Sequence, residues 1–572
     1  MEKLDNKPLF SIVAIMKNEI NTLPTLFSSL QEYLARGGEV VILDTGSTDG
    51  SAELARSLGA TVHEVGEKFI TVINSQLAGA INKEFVVEGE EDIVKAGNRL
   101  FDFAAARNYV SSLASNDFIV TLDCDEKYTT FNIDALNDLI RQGYEQFEYN
   151  FVYAHDAAGN PAVQFIQSKA FDRRKLKWVN KVHEVLQGDA KRIFVDSNVI
   201  LLEHFQEPFK DHRSNYLTGL GVDSYENPGN DRNLFYCARE MMYHGRPKSA
   251  IQSFLRHQTY NGWDAERGQG LIYIGDCYGT LNEPEKQLEY YHKGFDAYPK
   301  RREALIRIAS YYRHRNNPHA TAAYANAALV LKAEGFYADA MNEYRETPFE
   351  YLYWAYNLMG DKEAAKWHFH QAYNFQPDHP KYIADSEQIL GFRLSSVQGW
   401  MTAIEQQFLF EEARKHQVVV EIGSWRGRST QALLQSGAKE VYACDTWLGS
   451  ADIQDSTNYL AKQEDIFAAF TENTKEYTNL IKIRKPSLEA CKEFLPNSID
   501  FCFIDAGHSY SEILADVKAW FPLVKEGGVI CFHDYFPDVW MGVVQCIDEL
   551  FGKPDEVHGT IAVIRKDGRH NI

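Results

Sequence analysis

Short apolar runs that stop abruptly at polar or acidic residues recur near both ends of the chain. "FSIVAIM" (10–16), "EVVILDTG" (39–46) and "DFIVTLDCD" (117–125) have the length and composition of buried strands. "TLPTLFSSLQEYLAR" (22–36) places its apolar residues at helical spacing between the first two. Strand and helix in alternation predict βαβ units and a mainly parallel sheet over residues 1–205. From 206 to 392 the pattern becomes helix after helix, rich in Tyr, Ala and Leu. Pro247, Pro284 and Pro318 recur at intervals of 37 and 34, and Gly360 offers a fourth turn. Ala238, Gly275 and Ala309 precede these turns at one offset, where small residues let paired helices approach. From 393 to 572 strands return: "VVVEIG", "EVYACDTW", "IDFCFIDAGHSY" and "GGVICFHDY" follow the amphipathic helix "GWMTAIEQQFLFEEARKHQ". The expected fold class is multidomain α/β, with α/β domains at 1–205 and 393–572 around a helical domain at 206–392.

Composition narrows the classes. The 572 residues, 45% hydrophobic and 24% charged, are ordinary for globular protein and too many for one core. No stretch approaches the ~20 apolar residues needed to span a bilayer, and the first apolar run reads as a strand, not a signal peptide. A formal charge of -21 argues against a broad nucleic-acid surface. The eight cysteines form no C-x-x-C pair and most lie in apolar segments, as reduced thiols do, so a cytoplasmic protein is expected.

Acidic strand ends alone are weak signals. With 80 acids in 572 positions, an acid-x-acid triplet such as Asp123-Cys124-Asp125 arises about eleven times by composition. Context carries more: "IMKNE" (15–19), "LDTGSTDG" (43–50), "AAARN" (104–108), "LDCDE" (122–126) and "WVNKVHE" (178–184) stand in order. Together they resemble the family 2 glycosyltransferases, across about 200 residues. That resemblance implies a GT-A fold and a nucleotide-sugar donor. Glu19 and Asp44 would contact the nucleoside, Arg107 would lie near the donor and Asp123 would face the ribose. Asp125 would bind Mn²⁺ or Mg²⁺ on the diphosphate, His183 would add a metal or diphosphate contact, and Glu184 would be the base for the acceptor hydroxyl. His204 has a similar late position. Hard oxygen ligands and a divalent ion suit a leaving diphosphate, which gains negative charge in the transition state.

The helical region, with its period near 34, resembles degenerate tetratricopeptide repeats. It is expected to be a spacer that holds two sites apart; the alternative is a groove for a peptide or protein partner.

In the last region "EIGSWRGRST" is a G-x-x-x-G turn at a strand end, where glycines let backbone approach a ligand. Asp445 ends the next strand, a position suited to a pair of ribose hydroxyls. The segment as a whole resembles class I S-adenosylmethionine-dependent methyltransferases with a Rossmann-like fold. The resemblance implies that Glu421, Gly423, Ser424, Gly427 and Asp445 bind S-adenosylmethionine. Asp505 and Asp534 would be metal ligands, as in the metal-dependent members, with His508 or His533 as general base. The bland alternative is that His508 caps the helix beginning at "SYSEILADV" and that no metal binds.

The leading expectation is a bifunctional enzyme of glycan assembly. One end would transfer a sugar with inversion to a glycan acceptor, and the other would O-methylate a sugar hydroxyl. A glycosyltransferase acting on a protein docked by the repeats is the alternative, and a non-enzymatic scaffold is the third reading.

Overall fold

The computed structural model describes residues 7–155, 161–205, 216–334, 340–449 and 456–570. The chain divides into two compact units, residues 1–344 and 345–572.

In the first unit the strand Phe10–Met16 lies between Glu39–Asp44 and Phe118–Asp123, parallel to both, and Thr61–Glu64 extends the sheet beyond Glu39–Asp44. Alternate residues serve opposite faces, as a pleated strand requires. Ile12 and Ala14 join Leu26, Phe27 and Tyr33 of the helices Leu23–Ser29 and Gln31–Ala35. Val13 joins Ala106 and Val110 of the helix Phe103–Leu113. A sheet covered on both faces accounts for near-continuous apolar strands. The sheet is nevertheless mixed. The ribbon Gln146–His155 and Pro161–Asp172 pairs antiparallel onto Phe118–Asp123, and Ile200–His204 runs antiparallel to Glu126–Phe131. The ribbon's polar residues alternate along it, so no uninterrupted apolar run marked it as part of the sheet.

The helices of this unit form antiparallel hairpins: Asp231–Tyr243 with Pro247–His257, Asp264–Thr280 with Pro284–Ala297, and Arg302–His314 with Pro318–Leu329. Each second helix begins with the expected proline, which lacks the N–H that a first turn leaves unbonded anyway. The small residues are where the helices touch. A Cβ on Gly275 would stand 2.5 Å from the Tyr291 ring, and Ala238 and Ala309 are fully buried. The helices are more than a spacer to the first sheet. The segment 73–101, inserted between sheet strands, packs Ile73, Ile81, Phe85 and Leu100 into one core with Leu220, Phe235 and Phe254 of the helices.

The second unit holds a seven-stranded sheet in the order Leu480–Arg484, Glu440–Asp445, Val418–Ile422, Ile499–Ile504, Val524–Phe532, Ile561–Arg565, Glu556–His558. The first five are parallel, and Ile561–Arg565 is antiparallel to both of its neighbours. Helices Glu346–Met359, Lys362–Phe375 and Pro380–Leu390 belong to this unit and share a core with its sheet: Phe369, Tyr373 and Tyr382 pack in one cluster with Phe408, Val419 and Phe501. All eight cysteines are free and seven of them are buried. Among the described residues no helix is long and apolar enough to cross a membrane.

Candidate functional sites

Asp44 and Asp123 end the strands on either side of Phe10–Met16, in register with Met16 and Ile15, so both reach one rim of the sheet. Two sequence-distant loops lock together there. The Asn18 amide donates to Ser47 Oγ (2.9 Å), Asn18 Oδ1 accepts from the Thr48 amide (2.8 Å), and the Glu19 amide donates to Ser51 Oγ (2.7 Å). Asp44 accepts from the amide and hydroxyl of Ser47. Asn18, Gly46 and Gly50 take positive φ, which lets the two loops turn tightly enough to meet. Glu19 is half-buried and accepts from Thr22 Oγ1 at 2.8 Å.

Asp123 stands at the partly open edge of a charge cluster whose Arg107, Lys169 and Glu126 are buried. Arg107 reaches one of its oxygens (2.7 Å) and Lys169 the other (2.7 Å). Arg107 also bonds Glu184 through Nε (2.6 Å), and Lys169 bonds Glu126 (2.6 Å). Burial opposes the charge on Asp123, yet the two cations hold its carboxyl far below the ordinary range. Burial pushes the Glu126 carboxyl above its ordinary range, against the pull of Lys169, and Glu126 accepts the Asp123 amide (3.0 Å). Sequence reading passed over Lys169. The signal was present as a lone lysine in the strand segment "FIQSKAFD", but its partner lies 46 residues away.

Asp125 stands 3.5 Å from His204 Nε2, and the His204 ring stacks on Tyr153 (5.0 Å between centroids). His204, Tyr153, Lys127, His155 and Glu203 line a pocket of about 250 Å³. His183 lies elsewhere among aromatic rings, stacked against Tyr216 (5.1 Å) and Tyr236 (4.5 Å). Two protein ligands, with phosphate oxygens completing the shell, are a normal way to hold Mg²⁺ or Mn²⁺ beside a diphosphate. Asp125 and His204 fit that role.

In the second unit, Gly423 follows the strand Val418–Ile422 at φ +89, where a Cβ would lie 1.7 Å from the Asp505 carbonyl oxygen. Gly427 (φ +96) precedes the helix Arg428–Gln435. Asp445 accepts the Trp425 amide on one oxygen (2.8 Å) and the Trp447 amide on the other (2.7 Å), and burial raises its pKa against those bonds. Glu421 is fully buried behind the loop and accepts from Thr430 Oγ1 (2.5 Å). Burial pushes its carboxyl up to about 7, partly offset by hydroxyls of Ser429, Thr430 and Ser424. Ser424 is 2% exposed, so neither Glu421 nor Ser424 offers an open side chain.

Asp505 and Asp534 follow adjacent parallel strands and, with His508, bring three ligand atoms within 4.8 Å of one another. Among the described residues this is the one such group of His, Cys, Asp or Glu. His508 Nε2 is 3.0 Å from Asp534, and its ring packs on Trp540 (4.2 Å). Ser509, not His508, caps the helix Tyr510–Trp520, in a capping box with Glu512. His533 is buried among three acids, with Nδ1 3.2 Å from Asp505 and 3.3 Å from Asp534, and Nε2 3.6 Å from Glu405. Burial works against its charge, but the surrounding carboxylates raise its pKa well above the ordinary value. Glu405 is 1% exposed; burial opposes its ionisation, yet His533 and the Thr402 and Thr560 amides bring it down to about 2. It also completes the capping box of Ala403–Ala413 with Thr402. Sequence reading saw only an amphipathic helix there. The local signal was "TAIE", a Thr-x-x-Glu box; its link to His533 is tertiary. Two carboxylates and an imidazole at this spacing fit a divalent ion.

Residues 420–535 match the family model described as a methyltransferase domain, so the second unit carries such a domain. Among curated proteins, the chain is 29% identical over 140 residues to an undecaprenyl-phosphate 4-deoxy-4-formamido-L-arabinose transferase of Aeromonas hydrophila, covering 24% of this chain and 35% of that one. It is 27% identical over 122 residues to an uncharacterized protein of Sinorhizobium fredii, covering 20% of this chain and 13% of that one. An uncharacterized protein of Acanthamoeba polyphaga mimivirus is 27% identical over 133 residues, 21% of this chain and 52% of its own. The chain thus spans about half the length of these relatives, or less. Among solved structures it is similar to Pseudomonas aeruginosa pilF (TM-score 0.25, 13% identity, 29% of this chain, 69% of that one). It is similar also to MamA (TM-score 0.23, 14% identity, 28% of this chain, 85% of that one).

Proposed function

We propose that the protein is a bifunctional transferase of glycan assembly. Its first unit transfers a sugar from a nucleotide-sugar donor to a glycan acceptor with inversion. Its second unit uses S-adenosylmethionine to methylate a sugar hydroxyl. The observation that carries the first half is the shared rim of Asp44 and Asp123, closed by the interlocked "KNE" and "DTGSTDG" loops; the transferase likeness supports the same reading. In it, Asp44 and Glu19 take the nucleoside, and Asp125 and His204 hold the Mn²⁺ or Mg²⁺ that neutralises the diphosphate. Arg107 ties Asp123 to Glu184 and so fixes the orientation of the Glu184 carboxylate toward an acceptor hydroxyl.

The second half rests on the methyltransferase domain itself. The Gly423–Gly427 turn and Asp445 cradle S-adenosylmethionine, with Glu421 and Ser424 supporting the turn from behind. Asp505, His508 and Asp534 form the acceptor side. A divalent ion held there supplies Lewis acidity to a vicinal hydroxyl of the acceptor. His533 stands between Asp505, Asp534 and Glu405 and fixes the orientation of these carboxylates.

The test is incubation with a panel of nucleotide sugars, Mn²⁺ and methyl-labelled S-adenosylmethionine, with glycan acceptors. Nucleoside diphosphate release from one donor and label transfer to a glycan are expected. Absence of release from every donor would remove the first half, and label appearing only on protein would remove the assignment of the second.

A further inference from the structure

The reading of the first unit as a glycosyltransferase leaves its helices without a task. The loop 180–184 gives them one. It joins the strands Leu176–Val179 and Val185–Gly188 and ends on Glu184, whose carboxylate meets Arg107. Asn180 (φ +71) and His183 (φ +50) both take the left-handed conformation. The left-handed region is disfavoured for a residue with a Cβ, less for Asn180 than for His183, so such a loop persists only where its surroundings dictate it.

The helices supply much of what dictates it. Asp223, in the helix Tyr216–Glu226, is 1% exposed and accepts the Lys181 amide (2.6 Å) and the Val182 amide (3.3 Å) on one oxygen. Its other oxygen lies 3.5 Å from Lys181 Nζ. Asn180 Oδ1 accepts from the side-chain amides of Asn230 (3.1 Å) and Asn233 (3.2 Å). Val182 is buried against Gly219, where a Cβ would come within 2.7 Å of its Cγ1. His183 stacks against Tyr216 and Tyr236, both from helices. The Lys181 carbonyl in turn accepts the Phe103 amide (3.0 Å), at the start of the helix that carries Arg107.

We propose that Asp223 is a positioning residue for sugar transfer: by binding the Lys181 and Val182 amides it holds the loop in the strained form that presents Glu184 to the site. The proposal rests on the glycosyltransferase reading. It makes the helical region a working wall of the first site.

The test uses the full chain with Asp223→Ala and Asp223→Asn. Hydrogen exchange at the Lys181 and Val182 amides reports the clamp without any reaction. Nucleoside diphosphate release, from whichever donor of the panel the wild type turns over, reports the consequence. Asp223→Ala should speed exchange across 180–184 and lower kcat by about 10²-fold, the scale of a small misplacement of a reacting group, with donor KM little changed. Asp223→Asn, which keeps an accepting oxygen, should recover most of both. Should Asp223→Ala fail to fold, Asn233→Ala, which loosens Asn180 alone, should show a smaller effect in the same direction. Unchanged exchange in Asp223→Ala overturns the clamp, and faster exchange with unchanged kcat overturns its role in transfer. A wild type idle with every donor overturns the glycosyltransferase reading and the role with it; the exchange difference would mark that case apart from a failed clamp.

Discussion

Gly423 shows how one residue type can be imposed by two independent constraints. Its φ of +89 disfavours any side chain, and the Asp505 carbonyl occupies the space of a Cβ. Gly423→Ala should therefore cost about 2–5 kcal/mol, strain and overlap together, and abolish S-adenosylmethionine binding in calorimetry. Normal binding by that variant would mean that the turn is not the cradle. Glu421 makes a second prediction. Its carboxyl is raised from 4.5 to about 7 by burial, so the folded chain keeps a proton that the unfolded chain releases. The associated stability is complete below pH 4.5, declines as pH rises toward 7, and is lost above it, a change on the order of 3 kcal/mol. Glu421→Gln should flatten this dependence and unfold at higher denaturant than wild type at pH 8, with little difference near pH 4. Equal pH profiles for both proteins would show that Glu421 is ionised inside the fold.

At the scale of elements, the helix starts were legible because their signals are local. Pro247, Pro284 and Pro318 open helices as the period suggested. The limits of the cores were less legible, since periodicity shows that a helix has an apolar face but not what covers it. Helices 346–390 look like a continuation of the repeat, yet Phe369, Tyr373 and Tyr382 pack with the methyltransferase sheet. Arg428, next to Gly427, is buried and bonds Asp378 (2.6 Å) and the Met401 carbonyl (2.8 Å). A chain cut at 393 would lose these rings, at about 3–5 kcal/mol per large side chain, against a typical total stability of about 5–15 kcal/mol. Residues 345–572 should therefore unfold cooperatively and bind S-adenosylmethionine, whereas 393–572 should be insoluble or molten by circular dichroism. A well-folded 393–572 would show that the three helices are dispensable.

For the whole molecule, the two proposed sites predict separable losses. Asp125→Ala should reduce metal-dependent sugar transfer by about 10²–10³-fold and leave methyl transfer intact. Asp445→Ala should weaken S-adenosylmethionine binding by about 1–3 kcal/mol and leave sugar transfer intact. Equal damage to both activities by either change would refute independent sites. What the sequence determined by itself was the set of strand ends, the glycine turn and the helix starts, because each depends on conformational preferences within a few residues. Only the tertiary structure decided which charges meet. Asp123 is neutralised by Arg107 and Lys169 together, Glu184 by Arg107, and His533 is enclosed by Glu405, Asp505 and Asp534. A buried charge must find its partner wherever the chain path brings one, and neither periodicity nor spacing records that path.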